Sequence, residues 1–251
     1  MIDNSGLIDG GLRGQLQLNN FQFSNSGTIN GLQTNFNTDF RSAIDLNMGY
    51  FYAPDSAVYN GTLANASFTN AAGGSIGGYI SLGVASNIFN FTNAGTLTDG
   101  YVTIGQNNSQ GTDLASGSIV NSGTITNLRT GYAAGVFYEG SVNNFSFANS
   151  GAISGITQTG DLRGVSDSPL VSLAVTTDGN QNSTLSNSGM ITTAAYGDSG
   201  FMIATVAGDP TDRTSPIANS AITFTNSGTI RANGGALAGV IQAAVALESW
   251  L

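Results

Sequence analysis

Asn121-Ser122-Gly123-Thr124-Ile125 is one of eight copies of a short motif that recurs along this chain of 251 residues. Each copy reads Asn-[Ser/Ala]-Gly-x-[Ile/Leu], and the third is stretched to Asn70-Ala71-Ala72-Gly73-Gly74-Ser75-Ile76. The repeated Asn and Gly residues are Asn4, Gly6, Asn25, Gly27, Asn70, Asn93, Gly95, Asn121, Gly123, Asn149, Gly151, Asn187, Gly189, Asn226 and Gly228. Repeats of 20–50 residues are typical of solenoids, in which each unit buries its apolar face against its neighbours.

An apolar residue stands two positions before every motif Asn. These residues are Ile2, Phe23, Phe68, Phe91, Ile119, Phe147, Leu185 and Phe224. The best-formed copies alternate, as in Phe21-Gln22-Phe23-Ser24-Asn25, and a period of two predicts a half-buried strand. The motif Gly predicts a bend with positive φ, and the following Ile or Leu begins the next inward-facing strand. Each repeat is therefore predicted to form one coil of a β-helix.

Stacked coils place equivalent residues about 4.8 Å apart. We therefore expect a ladder of Asn amides in which each side chain donates to the next, and a column of apolar residues within one core. The motif spacings are 21, 45, 23, 28, 28, 38 and 39 residues. Spacings of 38–45 indicate either a second coil without the motif or one coil with a long loop. Together they predict roughly ten coils and a length of about 50 Å.

Composition narrows the classes of function. Charged residues make up 8% of the chain and the formal net charge is −9, with no His, Cys or Lys. Nucleic-acid binding needs a basic surface, so this charge excludes it, and it also disfavours docking on anionic lipid. Without Cys there is neither a disulfide framework nor a thiolate zinc site.

The motif predicts one β-helix array over residues 1–251, because the copies run through most of the chain. No stretch of the sequence approaches 18 consecutive apolar residues, so no transmembrane helix is predicted. The N-terminus lacks a signal-peptide pattern. The chain begins in a repeat and ends in an apolar stretch, from Val240 to Leu251. We expect a segment of a longer protein, open at both ends and prone to self-association through its terminal coils.

Four tyrosines are candidates for ligand contact. Tyr79 and Tyr101 follow the bend in Gly78-Tyr79-Ile80 and Gly100-Tyr101-Val102, and the others are Tyr132 and Tyr196. A stacked row of exposed rings would suit sugars or a partner protein, whereas the simpler interpretation is that Tyr covers a corner between coils. The insert from Met48 to Pro54 is either a projecting binding loop or a segment packed on an adjacent coil.

The sequence gives little indication of an enzyme, because His, Lys and Cys, the usual catalytic bases and nucleophiles, are absent. The closest acidic pairs are Asp161 with Asp167 and Asp209 with Asp212, each in a turn-forming stretch beside an Arg. They are more simply turn residues than a glycosidase pair. A calcium-binding nonapeptide repeat and a phosphate loop are both missing from the sequence. We therefore predict no catalytic residues, no metal and no cofactor.

Strings such as Asn-Ser-Gly-Thr-Ile, repeated unevenly in a Gly/Asn/Ser/Thr-rich chain without Cys, resemble the passenger regions of bacterial autotransporters. The resemblance covers residues 2 to about 235. It implies a right-handed parallel β-helix, exposed at the bacterial surface as an adhesin or stalk without catalysis. Its partners would be glycans or proteins of a host or neighbouring cell. Filamentous haemagglutinin-type exoproteins and phage tail proteins have similar repeats, and the alternative function is a polysaccharide-processing enzyme such as a tail-spike glycosidase.

Overall fold

A computed structural model describes residues 1–16, 20–35, 38–48, 50–52, 58–60, 63–84, 86–105, 116–127, 135–141, 144–155, 171–177, 182–193, 199–207, 221–231 and 235–241. These residues form strands joined by turns, with no helix among them. The strands are β1 (Ile2–Asn4), β2 (Leu7–Asp9), β3 (Leu12–Leu16), β4 (Asn20–Asn25), β5 (Thr28–Asn30), β6 (Leu32–Asn35), β7 (Thr38–Met48), β8 (Tyr50–Tyr52), β9 (Val58–Asn60), β10 (Leu63–Asn70), β11 (Ser75–Gly77), β12 (Tyr79–Val84), β13 (Ser86–Asn93), β14 (Thr96–Thr98), β15 (Val102–Gly105), β16 (Ser116–Asn121), β17 (Thr124–Asn127), β18 (Val136–Ser141), β19 (Asn144–Asn149), β20 (Ala152–Gly155), β21 (Val171–Thr177), β22 (Asn182–Asn187), β23 (Met190–Thr193), β24 (Ser199–Ala207), β25 (Ala221–Asn226), β26 (Thr229–Arg231) and β27 (Gly235–Ile241).

Three long sheets run the length of the array, and consecutive coils pair in parallel in each of them. Sheet A has the order β1-β4-β10-β13-β16-β19-β22-β25, and sheet B the order β2-β5-β11-β14-β17-β20-β23-β26. Sheet C has the order β3-β7-β12-β15-β18-β21-β24-β27. Each coil contributes one strand to each sheet, so the chain is a parallel β-helix. Its right-handed sense stays a prediction, which the strong preference for right-handed parallel crossovers supports.

Strand register places the apolar residue of every motif in one column of sheet A. Ile2 pairs with Phe23, Phe23 with Phe68, and the column continues through Phe91, Ile119, Phe147 and Leu185 to Phe224. The rings of Phe23 and Phe68 stack at a centroid distance of 4.4 Å, and those of Phe68 and Phe91 at 5.2 Å. The column predicted from the motif is therefore confirmed.

A second inward column of sheet A alternates large and small residues. Phe21, Phe89 and Phe145 are buried, and the residues between them in register are Ala66, Gly117 and Ser183. Phe89 and Phe145 thus have a small neighbour on each side, and Phe21 has one in the third coil, which leaves room for the rings at close interior packing. Buried Ile and Leu side chains of sheet B and buried Ile, Leu and Val side chains of sheet C complete one continuous core.

The described strands make eight coils, so the expectation of roughly ten was wrong. Asn25 and Asn70 are direct register partners although 45 residues separate them, and the spacings of 38 and 39 residues also join neighbouring coils. No additional coil fits between strands that are hydrogen-bonded to each other. The long spacings are single coils with insertions, and the eight strands of sheet A span about 34 Å at ~4.8 Å per coil.

Two strand pairs lie outside the regular ladders. β6 pairs antiparallel with the first part of β7, and β3 pairs parallel with the later part of β7. β8 pairs antiparallel with β9, so the predicted insert from Met48 to Pro54 contributes Tyr50–Tyr52 to a hairpin. Met48 ends β7, and Gly49, Ala53 and Pro54 lie outside the described residues. β8 also approaches β3, which is the first strand of sheet C.

Candidate functional site

An uninterrupted ladder of asparagine side chains lies at the corner between sheets A and B. The Nδ2 atom of each motif Asn donates to Oδ1 of the Asn in the next coil, over seven steps of 2.7–2.8 Å. The six interior members are at most 1% exposed, and Asn4 is 7% exposed. A buried amide without partners would cost about 1–3 kcal/mol, so this pairing is what allows polar side chains inside the core. The predicted ladder is confirmed.

Local carbonyl groups fix the orientation of each amide in the ladder. The Nδ2 atom of Asn121 lies 3.3 Å from the Gly123 carbonyl oxygen, and the same contact recurs for Asn25, Asn149 and Asn187. An amide oxygen in that place would face another oxygen. The side chains donate towards the following coil, whereas backbone N–H groups at the corner donate to the preceding coil, as Ser122 does to the Asn93 carbonyl. The corner is thus held by hydrogen bonds of opposite direction.

The motif glycines have a different role from the predicted one. None of them has positive φ, a conformation that the described glycines adopt at Gly10, Gly11, Gly73 and Gly78. A Cβ atom on Gly123 would instead lie well inside van der Waals contact of the Gly95 carbonyl oxygen, and Gly95, Gly151, Gly189 and Gly228 show the same crowding. That carbonyl accepts from Thr124 N at 2.9 Å, so it cannot simply turn away. Glycine is required because consecutive coils approach closely at this corner.

The third coil accommodates two extra residues at the same corner. Gly73 adopts φ +85°, and Gly74 N donates to the Ala71 carbonyl in a tight turn. Gly74 then takes the place of the motif Gly, since Ser75 N donates to the Gly27 carbonyl and Thr96 N to the Gly74 carbonyl. The ladder therefore passes through this coil unbroken.

Tyr79 and Tyr101 stack on each other at the start of sheet C. Their ring centroids are 5.6 Å apart and their planes differ by 11°. Both side chains are half-buried, while Ile80 and Val102, one position further along, are fully buried. This geometry fits both interpretations of the pair, a contact surface and a cover for the corner.

The predicted row of four tyrosines does not continue from Tyr101 in register. Val102 pairs with Val136 and its N–H donates to the Gly135 carbonyl, so Gly135 occupies the position next to Tyr101. Tyr132 and Tyr196 lie outside the described residues. Within the described residues, the candidate contact site is the pair of rings at the corner between sheets B and C.

Chemistry-bearing groups are few in the described part of the chain. Asp45 pairs with Arg13 at 3.0 Å on the outer face of sheet C. Within the described ranges, no group of three or more acidic residues could hold a metal ion, and no helix is long and apolar enough to cross a membrane. The acidic pairs Asp161 with Asp167 and Asp209 with Asp212 lie outside those ranges.

Charge is unevenly distributed around the β-helix, a feature that the sequence prediction missed. The segments 20–30, 63–77, 86–98, 116–127, 144–155 and 182–193 contain no charged residue. They form sheets A and B of the second to seventh coils with their connecting turns, and we call them the uncharged side. The motif copies already showed this composition, but only the three-sheet topology brings the segments together on one side.

No protein-family model, curated protein or solved structure matches this chain.

Proposed function

We propose that this chain is a non-catalytic, surface-exposed β-helix of an autotransporter-like passenger, acting as an adhesin or a structural stalk. The observation that carries the proposal is a difference between the corners of the β-helix. The corner between sheets A and B contains the asparagine ladder in every coil, and we call it the invariant corner. The two corners that flank sheet C vary in length and are the variable corners. Rigid scaffolds that present loops of varied length are well suited to binding, because the loops can change without disturbing the core.

The long insertions lie at the two corners that flank sheet C. The corner between sheets A and B has two residues in seven of the eight coils and four in the third. By contrast, fifteen residues separate β20 from β21 and thirteen separate β24 from β25. The continuous parallel sheets also give a stiff rod, which suits a stalk that holds binding surfaces away from a cell.

Export through a narrow pore is consistent with the composition. A chain without Cys forms no premature disulfide. Because each coil is formed by residues that are close together in the sequence, coils can add to a growing β-helix one at a time. The proposed location is the outer surface of a bacterial cell. The proposed partners are glycans or proteins on a host or neighbouring cell.

A display experiment tests the proposal. Residues 1–251 are placed between a signal peptide and an autotransporter translocator barrel in a Gram-negative host. We expect the segment to reach the surface, where antibody on intact cells detects it and added protease removes it. Retention in the periplasm, while a known passenger in the same fusion is displayed, would contradict the proposal.

Catalysis is tested on the same purified segment. Incubation with neutral and acidic polysaccharides should release no new reducing ends. Release that disappears in Asp161→Asn or Asp209→Asn would support the glycosidase alternative and overturn the non-catalytic proposal.

The tyrosine pair has its own test within the adhesin proposal. A glycan array compares the chain with a variant carrying Tyr79→Ser and Tyr101→Ser. Loss of a binding signal supports ligand contact by the pair. An unchanged signal, with an unchanged circular dichroism spectrum, assigns the pair to covering the corner.

Self-association through open coil ends is the second proposed partner interaction. Within the described residues, Oδ1 of Asn4 accepts from the N–H of Gly6 in the same coil. Nδ2 of Asn226 donates to the carbonyl of Gly228, also in the same coil. Neither has a ladder partner on its outer side among those residues. Unpaired edges favour pairing with another chain. Light scattering of the purified 251-residue chain should show mass rising with concentration, and a constant monomer mass would contradict this.

A further inference from the structure

The uncharged side differs from the rest of an acidic protein. Its six segments carry no charge, whereas the whole chain has a formal net charge of −9. The charged residues in the described strands are in the terminal coils or in sheet C, such as Asp9, Asp45 and Glu139. An average protein surface contains many more charges, so this side is chemically distinct.

The outward positions of the uncharged side are occupied mainly by amides and hydroxyls in register. One such column of sheet A contains Gln22, Ser67, Asn90, Ser118, Ser146 and Thr184. Asn65 Nδ2 donates to Asn20 Oδ1 at 3.0 Å, and Ser118 Oγ donates to Asn90 Oδ1 at 2.6 Å. Such pairs leave further donor and acceptor capacity on each group, because an amide has two N–H donors and a hydroxyl also accepts.

No long insertion interrupts the uncharged side. The corner that joins its two sheets has turns of two residues, with the four-residue turn of the third coil as the exception. An extended polymer can therefore lie along six coils, where equivalent groups recur about every 4.8 Å. Repetition allows contacts that are individually weak to act together on one polymer.

We infer that the uncharged side binds a neutral polysaccharide that lies along the axis of the β-helix. A neutral, hydroxyl-rich polymer exchanges hydrogen bonds with amides and hydroxyls without stripping water from charges, a step that is costly. An anionic polymer would instead meet repulsion from the acidic protein. The inference deepens the adhesin proposal by naming a ligand class.

Apolar partners match this side poorly. Among the side chains whose burial the structure describes, the exposed large apolar ones on it are Ile88 at 39% and Met190 at 44%, which lie in different sheets and three coils apart. They form no continuous groove for an apolar peptide or a lipid.

Affinity gel electrophoresis of the purified 251-residue chain tests the inference directly. The gels contain hydroxyethyl cellulose, a soluble β-1,3-glucan or polygalacturonate. We expect at least one neutral polymer to retard the chain and polygalacturonate to have no effect. The retardation should persist in 0.5 M salt, because contacts between neutral groups are not screened.

Charge placed on either face provides matched variants. Ser118→Asp and Thr184→Asp put carboxylates on the outer face of sheet A, two coils apart. Thr103→Asp puts one on the outer face of sheet C at a half-buried position like that of Ser118. We expect the sheet A variants to weaken binding about tenfold and the sheet C variant to leave it unchanged, with circular dichroism confirming that all three fold.

Three outcomes would overturn the inference. They are no retardation by either neutral polymer, equal loss in the sheet A and sheet C variants, and self-association that Ser118→Asp abolishes while glycan has no effect. The last would assign the uncharged side to a second copy of the chain. Because the assay uses purified protein, each of these failures leaves surface display to be decided by its own experiment.

Discussion

The corner between sheets A and B and the two corners that flank sheet C obey different rules. At the first, a buried asparagine is paired in both directions along the ladder, and a glycine passes too close to its neighbour to carry a side chain. At the other two, the number of residues between strands varies from one to more than ten. One corner aligns the coils, and the other two are free to change length.

The difference shows how a solenoid tolerates irregular repeats. Motif spacing varies between 21 and 45 residues, yet all eight asparagines are in register. Lengthening a surface loop costs little, because closure entropy grows only slowly with length. A shift of one residue at the ladder would instead bury unpaired amides and turn the apolar column outward.

A side chain at the invariant corner should produce the largest effect. Gly123→Ala places a Cβ against the Gly95 carbonyl oxygen, which is held by Thr124 N, so the coils must separate. We expect a loss of about 3 kcal/mol in the free energy of unfolding, measured by urea denaturation.

Gly6→Ala is the matched control, because a Cβ on Gly6 meets no heavy atom within 4 Å. It should change stability by less than about 0.5 kcal/mol. Equal losses at Gly6 and Gly123 would show that close approach of the coils is not the reason for glycine.

Removal of one ladder member should have the next largest effect. Asn121→Ala leaves the Nδ2 donor of Asn93 and the Oδ1 acceptor of Asn149 without their partner. We expect a loss of about 2–3 kcal/mol, because two buried polar groups become unsatisfied. Asn90→Ala on the exposed face of sheet A should cost less than about 0.5 kcal/mol. A similar cost for both variants would show that ladder pairing does not stabilise the fold.

Shortening a variable corner should have a small effect. Gly105 and Ser116 pair with Gly83 and Ile88 of the preceding coil, which four residues connect. Replacing residues 106–115 by the four residues Val-Ala-Ser-Asn found at 84–87 gives the connection from β15 to β16 the same length. We expect a change of less than about 1 kcal/mol in the free energy of unfolding. A loss above about 2 kcal/mol would mean that this insertion contributes to the core.

The smallest effect on stability is expected from shortening the four-residue turn of the third coil. Deleting Ala72 and Gly73 converts the third coil to Asn70-Ala71-Gly74, which matches Asn93-Ala94-Gly95. Because the ladder and the Gly74 contacts already pass through this coil, stability should change by less than about 0.5 kcal/mol. A large loss would show that the four-residue turn has its own structural role.

The motif sequence was sufficient to predict the β-helix, the apolar column and the asparagine ladder. Each depends on a local pattern repeated in register, and the spacing of Phe23, Asn25 and Ile29 recurs in seven of the eight copies. The number of coils was overestimated because spacing alone does not distinguish an insertion from a coil without the motif. The role of glycine was mistaken because a bend and a close approach select the same residue.

The candidate contact residues were harder to predict. Tyr79 and Tyr101 stack as expected, whereas Gly135 occupies the register position beside Tyr101 in the next coil and Tyr132 lies outside the described residues. The eight-residue gap between β17 and β18 breaks the correspondence between sequence spacing and position on the sheet. The uncharged side was not predicted because its segments are separated in the sequence by sheet C strands and their flanking corners, most of which contain charged residues.

Hydrogen exchange of the asparagine side-chain amides measures whether the ladder is continuous. In a chain labelled with ¹⁵N-asparagine, the Nδ2 protons of the interior ladder residues Asn70, Asn93, Asn121 and Asn149 are buried and donated. We expect them to exchange at least about 100-fold more slowly than those of exposed Asn90. Equal and rapid exchange of all asparagine side chains would contradict a continuous ladder, and with it the account of how one corner aligns the coils.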